Sequence, residues 1–395
     1  MAGYEWQHFH NKYHSEGNGN YRSTHPTLAG TEYNVYDYSS ASENFLVSFF
    51  GRMNYIAFSK YMITATLRAD GSSRFADGHR WGIFPSVALG WKLKEEAFLK
   101  DIDILSDLKL RLGYGVTGQQ DVNQGDYPAI ATYVVNQDYA YYPAVTNSDG
   151  TPYTTYRPDA FNSELTWEQT STYNIGIDYG FLNSRITGAI DYYFRKTTDL
   201  INVVDVPAGT NFKNRVVSNV GSLQNTGVEL SVDAIALHTT DLKWSIGFNI
   251  AINRNEITEL NTGETDDYYI GTGGISSGTG NYIQAHKVGN AASSFYVYQE
   301  ARDEKGNYYF VDRNGDGSIS ASDKYIFNSP APDATIGLNM KWNYRDFDFG
   351  FSLRANIGNY VYNDVLASNL QWADNVYSDQ MGGYHGLLKE CYDLR

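Results

Sequence analysis

Long stretches in which apolar and polar residues alternate dominate this chain, and residues 226–253 show the pattern most clearly. One set of positions there carries Val228, Leu230, Val232, Ala234, Trp244, Ile246, Phe248, Ile250 and Ile252, and the positions between them carry Gly227, Glu229, Ser231, Asp233, Lys243, Ser245, Gly247 and Asn249. A period of two predicts β-strands whose two faces meet different surroundings. These stretches exceed the ~5–6 residues usual for strands of soluble proteins, so what covers each face decides the fold.

The alternation recurs along most of the sequence, and the segments between the strands alternate in length. Further predicted strands cover residues 45–55, 60–70, 85–94, 108–116, 172–181, 185–195, 334–343 and 346–358, and residues 3–9 look like the end of another. The short breaks lie at 57–59, 182–184, 237–242 and 344–345, with a somewhat longer one at 95–107; the long breaks lie at 11–44, 71–84, 118–171, 197–225 and 254–333.

Strand length and loop asymmetry together predict a membrane barrel. Tilted strands of ~9–11 residues match the hydrocarbon core of a bilayer, and a sheet in lipid has to close on itself to pair its backbone groups. Short periplasmic turns and long extracellular loops are typical of outer-membrane barrels. We therefore predict an all-β fold, an antiparallel transmembrane β-barrel segment of about eleven strands. The Val228 face would meet lipid and the Glu229 face the lumen.

Composition narrows the function classes. The net charge of −15 supplies no basic surface for nucleic acid, and the single cysteine, Cys391, excludes an internal disulfide framework. No uncharged apolar run approaches the ~18 residues of a membrane helix, and residues 1–14 do not resemble a signal peptide. These two absences alone suggest a soluble cytoplasmic protein, and a soluble β-sandwich, propeller or adhesin repeat is the alternative to the barrel. Such folds have shorter strands and turn signals every ~8–12 residues.

Several blocks of sequence resemble the SusC/RagA-type TonB-dependent outer-membrane transporters. They occur in family order and extend to about residue 363. They are "DGSSRFADGHRWGIFPSVALGWKLKEEAFLK" at 70–100, "LSDLKLRLGYGVTGQQD" at 105–121, "LTWEQTSTYNIGIDYGFLNSRITGAIDYYFRKTTDLI" at 165–201, "NVGSLQNTGVELSVDA" at 219–234, and "FVDRNGDGSISASDKYIF" followed by "PDATIGLNMKWNYRDFDFGFSLRANIGNYVYN".

The resemblance implies a fold, a location and a function. The fold would be a 22-stranded barrel around an N-terminal plug, in the cell outer membrane, importing nutrients too large for porins, either glycans or oligopeptides. TonB and its motor complex would supply energy, and a SusD-like surface lipoprotein would cover the barrel. No catalytic residue is expected. The alternative function is a surface adhesin, or a passive structural outer-membrane barrel without active transport.

Relative to that family, we expect residues 1–363 to form a partial barrel and 364–395 to be a loop or an atypical tail. The signal peptide, the plug and the TonB-contacting segment are expected to be absent, and such a segment alone is not expected to insert or transport.

The most specific chemical motif in the sequence resembles a calcium-binding loop. In "DRNGDGSISASD", residues 312–323, the pattern D-x-N-x-D-G-x-I places oxygen ligands at alternate positions, with a glycine for the sharp turn. The predicted Ca²⁺ ligands are Asp312, Asn314, Asp316, the backbone carbonyl of Ser318, and Asp323. The alternative is an ion-free loop, because Asp, Asn and Gly are common loop residues. A bound ion would be structural and would brace the 254–333 loop.

Histidines form the other candidate cluster, "HFHNKYH", with His8, His10 and His14. His8 and His10 would share a strand face and could bind a metal together. Their more common interpretation is as ordinary residues at a strand end.

Overall fold

The computed structural model describes residues 1–20, 32–121, 125–135, 156–207, 209, 213, 215–260, 268–275 and 282–364. Nearly all of the predicted tail at 364–395 therefore lies outside the described residues. Within the described ranges no helix has the length and apolar character needed to cross a bilayer. The two helical elements there are single 3-10 turns, Leu93–Glu95 and Ala321–Asp323.

Strands make up the rest of the regular structure. In chain order they are β1 (Ala2–Asn20), β2 (Glu32–Ala57), β3 (Tyr61–Ser72), β4 (Trp81–Lys92), β5 (Leu105–Gln119), β6 (Tyr133–Val135), β7 (Tyr156–Pro158), β8 (Glu168–Phe181), β9 (Ile186–Thr198), β10 (Ile201–Asp205), β11 (Arg215–Asn219), β12 (Ser222–His238), β13 (Leu242–Glu259), β14 (Tyr269–Gly274), β15 (Tyr282–Lys287), β16 (Ser294–Val297), β17 (Glu300–Arg302), β18 (Tyr308–Phe310), β19 (Tyr325–Ile326), β20 (Ala334–Tyr344) and β21 (Phe347–Ile357).

The long strands form one 11-stranded sheet in the order β1-β2-β3-β4-β5-β8-β9-β12-β13-β20-β21. The pairs β1–β2, β2–β3, β12–β13, β13–β20 and β20–β21 are antiparallel. Neighbours in the sheet therefore follow chain order, and the short strands lie in the connections between them. This arrangement confirms the predicted all-β fold and its strand number.

The predicted strands are correct in place, but several extend beyond the predicted ends. The largest difference is at 11–44, which was predicted as a long loop. There β1 continues to Asn20 and β2 begins at Glu32, so most of this segment is strand. The cause is compositional, because residues 33–44, "YNVYDYSSASEN", lack the apolar alternation that marks a membrane-facing strand.

Several of the short turns use residues in the left-handed region of backbone space. Phe58 and Ser59, between β2 and β3, have φ of 51° and 59°, and Arg345, between β20 and β21, has φ of 49°. The two consecutive positive φ values of Phe58 and Ser59 suit the right-handed twist of a tight hairpin, a conformation that Asn-Gly or Gly-Gly usually adopts. The short breaks predicted at 57–59 and 344–345 are confirmed without those residues.

The chain divides into two compact units. The first is Met1–Leu89, Gly113–Ser171 and Thr197–Val220; the second is Gly90–Leu112, Thr172–Lys196 and Gly221–Arg395. The first contains an apolar cluster centred on Phe75, Leu165 and Trp167, residues from the β3–β4 and β7–β8 connections. In the second, the β13–β20 connection carries a small sheet of its own, in the order β14-β15-β16-β19.

Candidate functional site: a two-faced barrel wall and its loops

One face of the long sheet is apolar, and its side chains are half-buried or, as at Val228, Phe349 and Leu353, exposed. On β13 and β20 the cross-strand pairs on this face are Trp244 with Trp342, Ile246 with Met340, and Phe248 with Leu338. The two indole rings stack with centroids 5.9 Å apart at 14°. A soluble protein rarely exposes a contiguous apolar surface of this kind. Lipid is the surrounding in which it is stable.

The opposite face carries charged groups that are already paired, and Arg111 on β5 is the clearest example. Its Nε donates to Asp178 Oδ1 at 2.9 Å and its Nη2 donates to Asp191 Oδ2 at 2.9 Å, while Lys109 lies 3.5 Å from Asp178. A Cβ at Gly176 would overlap Asp191 and the guanidinium. The glycine therefore makes room for a bridge that ties β5, β8 and β9 together on the lumen side.

A second group of the same kind lies on β1–β3. Arg68 donates to both carboxylate oxygens of Asp70, at 2.7 and 2.9 Å, and to Ser48 Oγ at 2.8 Å. It also donates to Glu5 Oε2 at 3.2 Å. Because Ser48 is fully buried and Asp70 is nearly buried, the hydrogen bonds to these two residues hold the Arg68 guanidinium in one position. Charge-assisted hydrogen bonds of this type fix both geometry and register.

Side chains from β4 and from separate connections pack into an apolar core. Trp167 lies edge-on and tilted against Phe84 and Phe75, with centroids 5.4 and 5.3 Å away, and its Nε1 donates to the Arg80 carbonyl at 2.9 Å. A Cβ at Gly118 would overlap the Phe84 ring. The loops at this end of the wall are therefore fixed by burial and not only tethered by their strands.

Ion pairs fasten the same loops. Arg74 lies 3.1 Å from Asp121 and 3.2 Å from Asp126. Asn44 on β2 donates to Asp126 at 3.0 Å and is buried. These contacts connect β2, the β3–β4 connection and the segment after β5 within the first unit.

The predicted calcium loop folds around its own carboxylates. Asp312 accepts hydrogen bonds from the backbone N–H groups of Gly315 and Gly317, both at 2.7 Å. Asn314 Oδ1 accepts from Asp316 N at 2.9 Å, and Asp316 Oδ1 accepts from Ser318 N at 2.8 Å. Gly315 and Gly317 have φ of 75° and 83°, which explains why glycine stands at both positions.

Asp323 closes this loop from a buried position. Its carboxylate accepts from Ser320 N at 2.7 Å, Arg313 N at 2.8 Å and Asn314 N at 3.3 Å. The backbone hydrogen bonds from Ser320, Asn314 and Arg313 hold the pKa of Asp323 below its usual range. They outweigh burial, which alone would raise this pKa. The carboxylate therefore joins both ends of the 312–323 segment while it stays ionised.

The structure therefore brings the five predicted ligand residues into one loop, but its three acidic groups do not form a tight ligand cluster. In the part of the chain described, Asp312, Asp316 and Asp323 are not a set with oxygens within 4.8 Å of one another. A carboxylate has about four acceptor positions, so Asp312 and Asp316 retain capacity for an ion. The calcium site stays a prediction.

Cation–π contacts hold the loop against its neighbours. The guanidinium of Arg313 lies 4.4 Å from the Tyr325 ring, and Lys324 Nζ lies 5.2 Å from the Tyr298 ring. Nothing local in the sequence predicts these contacts, which join Arg313 of the loop to β19 and the adjacent Lys324 to the segment after β16.

The chain matches a protein-family model over residues 1–384, and the family is described as "TonB dependent receptor-like, beta-barrel". It is 50% identical to the TonB-dependent receptor SusC of Bacteroides thetaiotaomicron over 391 residues, which cover 96% of this chain and 38% of SusC. It is 30% identical to the TonB-dependent receptor P3 of Formosa agariphila, over 88% of this chain and 35% of that receptor.

Solved structures agree on the fold. The RagAB peptide importer in its "open-open" state superposes with a TM-score of 0.75 at 25% identity, covering 92% of this chain and 38% of the solved one. Another structure, of the RagAB peptide transporter, gives 0.74 at 24% identity and 93% coverage of this chain. The sequence thus spans between a third and two fifths of the length of these relatives.

Proposed function

This chain belongs to the TonB-dependent receptor β-barrel family, and from that premise we propose that it forms part of the wall of an energised importer of large nutrients. The family places it in the outer membrane and among receptors rather than enzymes. The single observation that carries the proposal is the 50% identity to SusC across 96% of the chain. The aligned region of 391 residues includes strands and connections alike.

The lumen face suits this role. Its charges at Arg111 and Arg68 are committed to neighbouring carboxylates, so the wall offers a fixed polar surface rather than loose cations that would trap an acidic solute. The apolar core around Trp167 supports the mouth of such a wall in one shape. We expect such a wall to keep one shape while a large cargo passes. The conformational change that moves the cargo would then take place in other parts of the whole receptor.

The proposed partners are a SusD-like surface lipoprotein, and TonB with its motor complex acting through the rest of the receptor. The proposed cargo class is a glycan or an oligopeptide. The name SusC supports the partner, and the peptide importers named among the structural neighbours support an oligopeptide as one of the two classes.

The test uses the full-length receptor in its own cells. Deleting its gene should abolish uptake of one class of labelled oligomer, and collapsing the proton-motive force should have the same effect in the parent strain. Affinity purification from outer membranes should recover a surface lipoprotein at one copy per receptor. Unchanged uptake combined with lost adhesion to surfaces would favour the alternative, an adhesin or a passive structural barrel.

We also propose that the 312–323 loop binds Ca²⁺ in a structural role. Hard oxygen donors at alternate positions and the glycine at the turn support it, and the side chains of Asp312, Asn314 and Asp316 already follow one tight loop. Calorimetry with the chelator-treated full-length receptor should detect binding that Asp312→Ala removes. Asp303→Ala is the matched control, because Asp303 also accepts backbone hydrogen bonds, from Lys305 and Asn307, but lies outside the motif. Equal binding in all three proteins would contradict the proposal.

A further inference from the structure

Two histidines and a glutamate meet on one face of the β1–β2 pair. His10 lies directly across from Glu43 in the ladder, and His8 lies across from Phe45. Because side chains alternate along a strand, His8 and His10 occupy the same face. His8 Nε2 lies 3.7 Å from Glu43 Oε1, and His10 Nδ1 lies 3.4 Å from Glu43 Oε2. Among the described residues these three form the set whose possible ligand atoms all lie within 4.8 Å of one another.

These distances approach those of a coordination sphere. Zinc bonds to histidine nitrogen and carboxylate oxygen measure about 2.0–2.2 Å, which in a tetrahedral site places ligand atoms roughly 3.4 Å apart. Two neutral imidazoles and one carboxylate carry one negative charge, which favours a divalent cation. Imidazole suits zinc, copper and nickel, whereas calcium and magnesium prefer sites made of oxygen alone. We propose that His8, His10 and Glu43 form a binding site for a divalent transition-metal ion, with water at the remaining position.

The site is largely pre-formed by its surroundings. The His8 ring stacks on Phe45, with centroids 4.5 Å apart at 15°, and Trp6 lies 5.9 Å from His8. The backbone of both strands is paired residue by residue from Ala2 to Gly17. The possible ligand atoms of the three side chains already lie within 4.8 Å of one another, and a site that is partly arranged beforehand loses less conformational freedom on binding.

Position along the strands gives the site a role. The hydrocarbon core takes about 9–11 residues of a tilted strand, so counted back from the turn after Ala57 it ends near Val47 on β2. Glu43 lies beyond that level, on the same outward face as the Tyr4–Phe49 pair. The metal would therefore be reached from outside water, and it would clasp β1 to β2 where the two strands leave the bilayer.

The experiment uses the full-length receptor, purified in detergent with a tag that contains no histidine and stripped with chelator. Zinc is titrated by calorimetry, and cobalt is added separately to record the visible absorption of a site with nitrogen and oxygen ligands. The variants are His8→Ala, His10→Ala and Glu43→Gln. His14→Ala is the matched control, since His14 lies further along the same face and its ring contacts Ser39 and Glu16 instead. Heat-modifiable migration in gels verifies that each variant is folded.

We expect one zinc ion bound per receptor with micromolar or tighter affinity. Each histidine variant should weaken it at least a hundredfold, Glu43→Gln about tenfold, and His14→Ala less than threefold, and cobalt absorption should disappear in His10→Ala. Zinc binding that survives His10→Ala unchanged, or no binding at millimolar zinc, would overturn the proposal. If a histidine variant fails to fold, Glu43→Gln decides, because it keeps the shape of the side chain and removes only its charge. The outcome is independent of transport, since the site requires only the β1–β2 pairing.

Discussion

Placing an arginine at Phe248 is the most informative single perturbation of the wall. Phe248 lies near the middle of β13, across from Val232 on one side and Leu338 on the other, and all three share the apolar face. A charged arginine facing lipid near the bilayer midplane costs about 2–4 kcal/mol in barrels of this kind. A tenfold change in an equilibrium constant corresponds to about 1.4 kcal/mol, so Phe248→Arg should lower the folding equilibrium roughly 30- to 900-fold.

The adjacent residue provides the matched control. Asn249 lies across from Ser231 and Gly337 on the opposite face, so Asn249→Arg places the same charge one residue away but in the lumen. Both variants of the full-length receptor would be unfolded with guanidinium in lipid vesicles and followed by tryptophan fluorescence. The expected midpoint falls strongly for Phe248→Arg and little for Asn249→Arg. Equal losses, or a larger loss for Asn249→Arg, would refute the assignment of faces.

Three further predictions concern the loops. Asp312→Ala should loosen the 254–333 loop without unfolding the strands, measured as faster proteolysis within that loop, and rates equal to the parent's with and without chelator would contradict it. Because folding lowers the pKa of Asp323, the ionised carboxylate should stabilise the loop fully above the unfolded pKa of about 3.9, and this stabilisation should be lost as the pH falls towards the folded pKa. Hydrogen exchange at 312–323, corrected for intrinsic rates, should show constant protection from pH 5 to 8 and a decline below about 4. Uniform protection down to pH 2 would contradict this prediction. Trp167→Ala should cost about 3–5 kcal/mol in the stability of the loop core, seen as hydrogen exchange at 73–84, whereas exchange on β20 and β21 should not change.

The faces of the long strands were predictable because lipid on one side and a polar lumen on the other force a period of two. From Trp244 to Ile252 every second residue is a large apolar one, and only Ala251 departs from the polar or glycine residues between them. The extension of β1 and β2 through 11–20 and 32–44 could not be found in this way. Those residues lie beyond the bilayer, where water or protein covers both faces and no alternation is required.

Contacts between distant segments were also beyond the sequence. Trp167, Phe75 and Phe84 come from three separate stretches, and nothing local in the sequence indicates that their rings meet. The ion pairs of Arg111 were predictable only in part. Arg111, Asp178 and Asp191 each stand at polar positions of predicted strands, so their shared face was predictable, but their pairing depends on the register between strands.

In the calcium loop the sequence predicts which residues could be ligands, but it does not predict the full arrangement of their side chains. The motif correctly places Asp312, Asn314 and Asp316 in one tight turn, because Asx side chains and glycine dictate that shape locally. It does not reveal that Asp323 is buried and shared among three backbone N–H groups. That arrangement depends on how the ends of the loop pack.

A cysteine scan along β13 in the full-length receptor, with Cys391 replaced by serine, shows directly whether lipid covers one face of the wall and the lumen lies on the other. A water-soluble maleimide is applied to outer membranes and labelling is measured at each position from Ser245 to Ala251. We expect protection at Ile246, Phe248 and Ile250 and labelling at Ser245, Gly247, Asn249 and Ala251, in a strict period of two. Labelling that is uniform, or that follows no two-residue period, would contradict it.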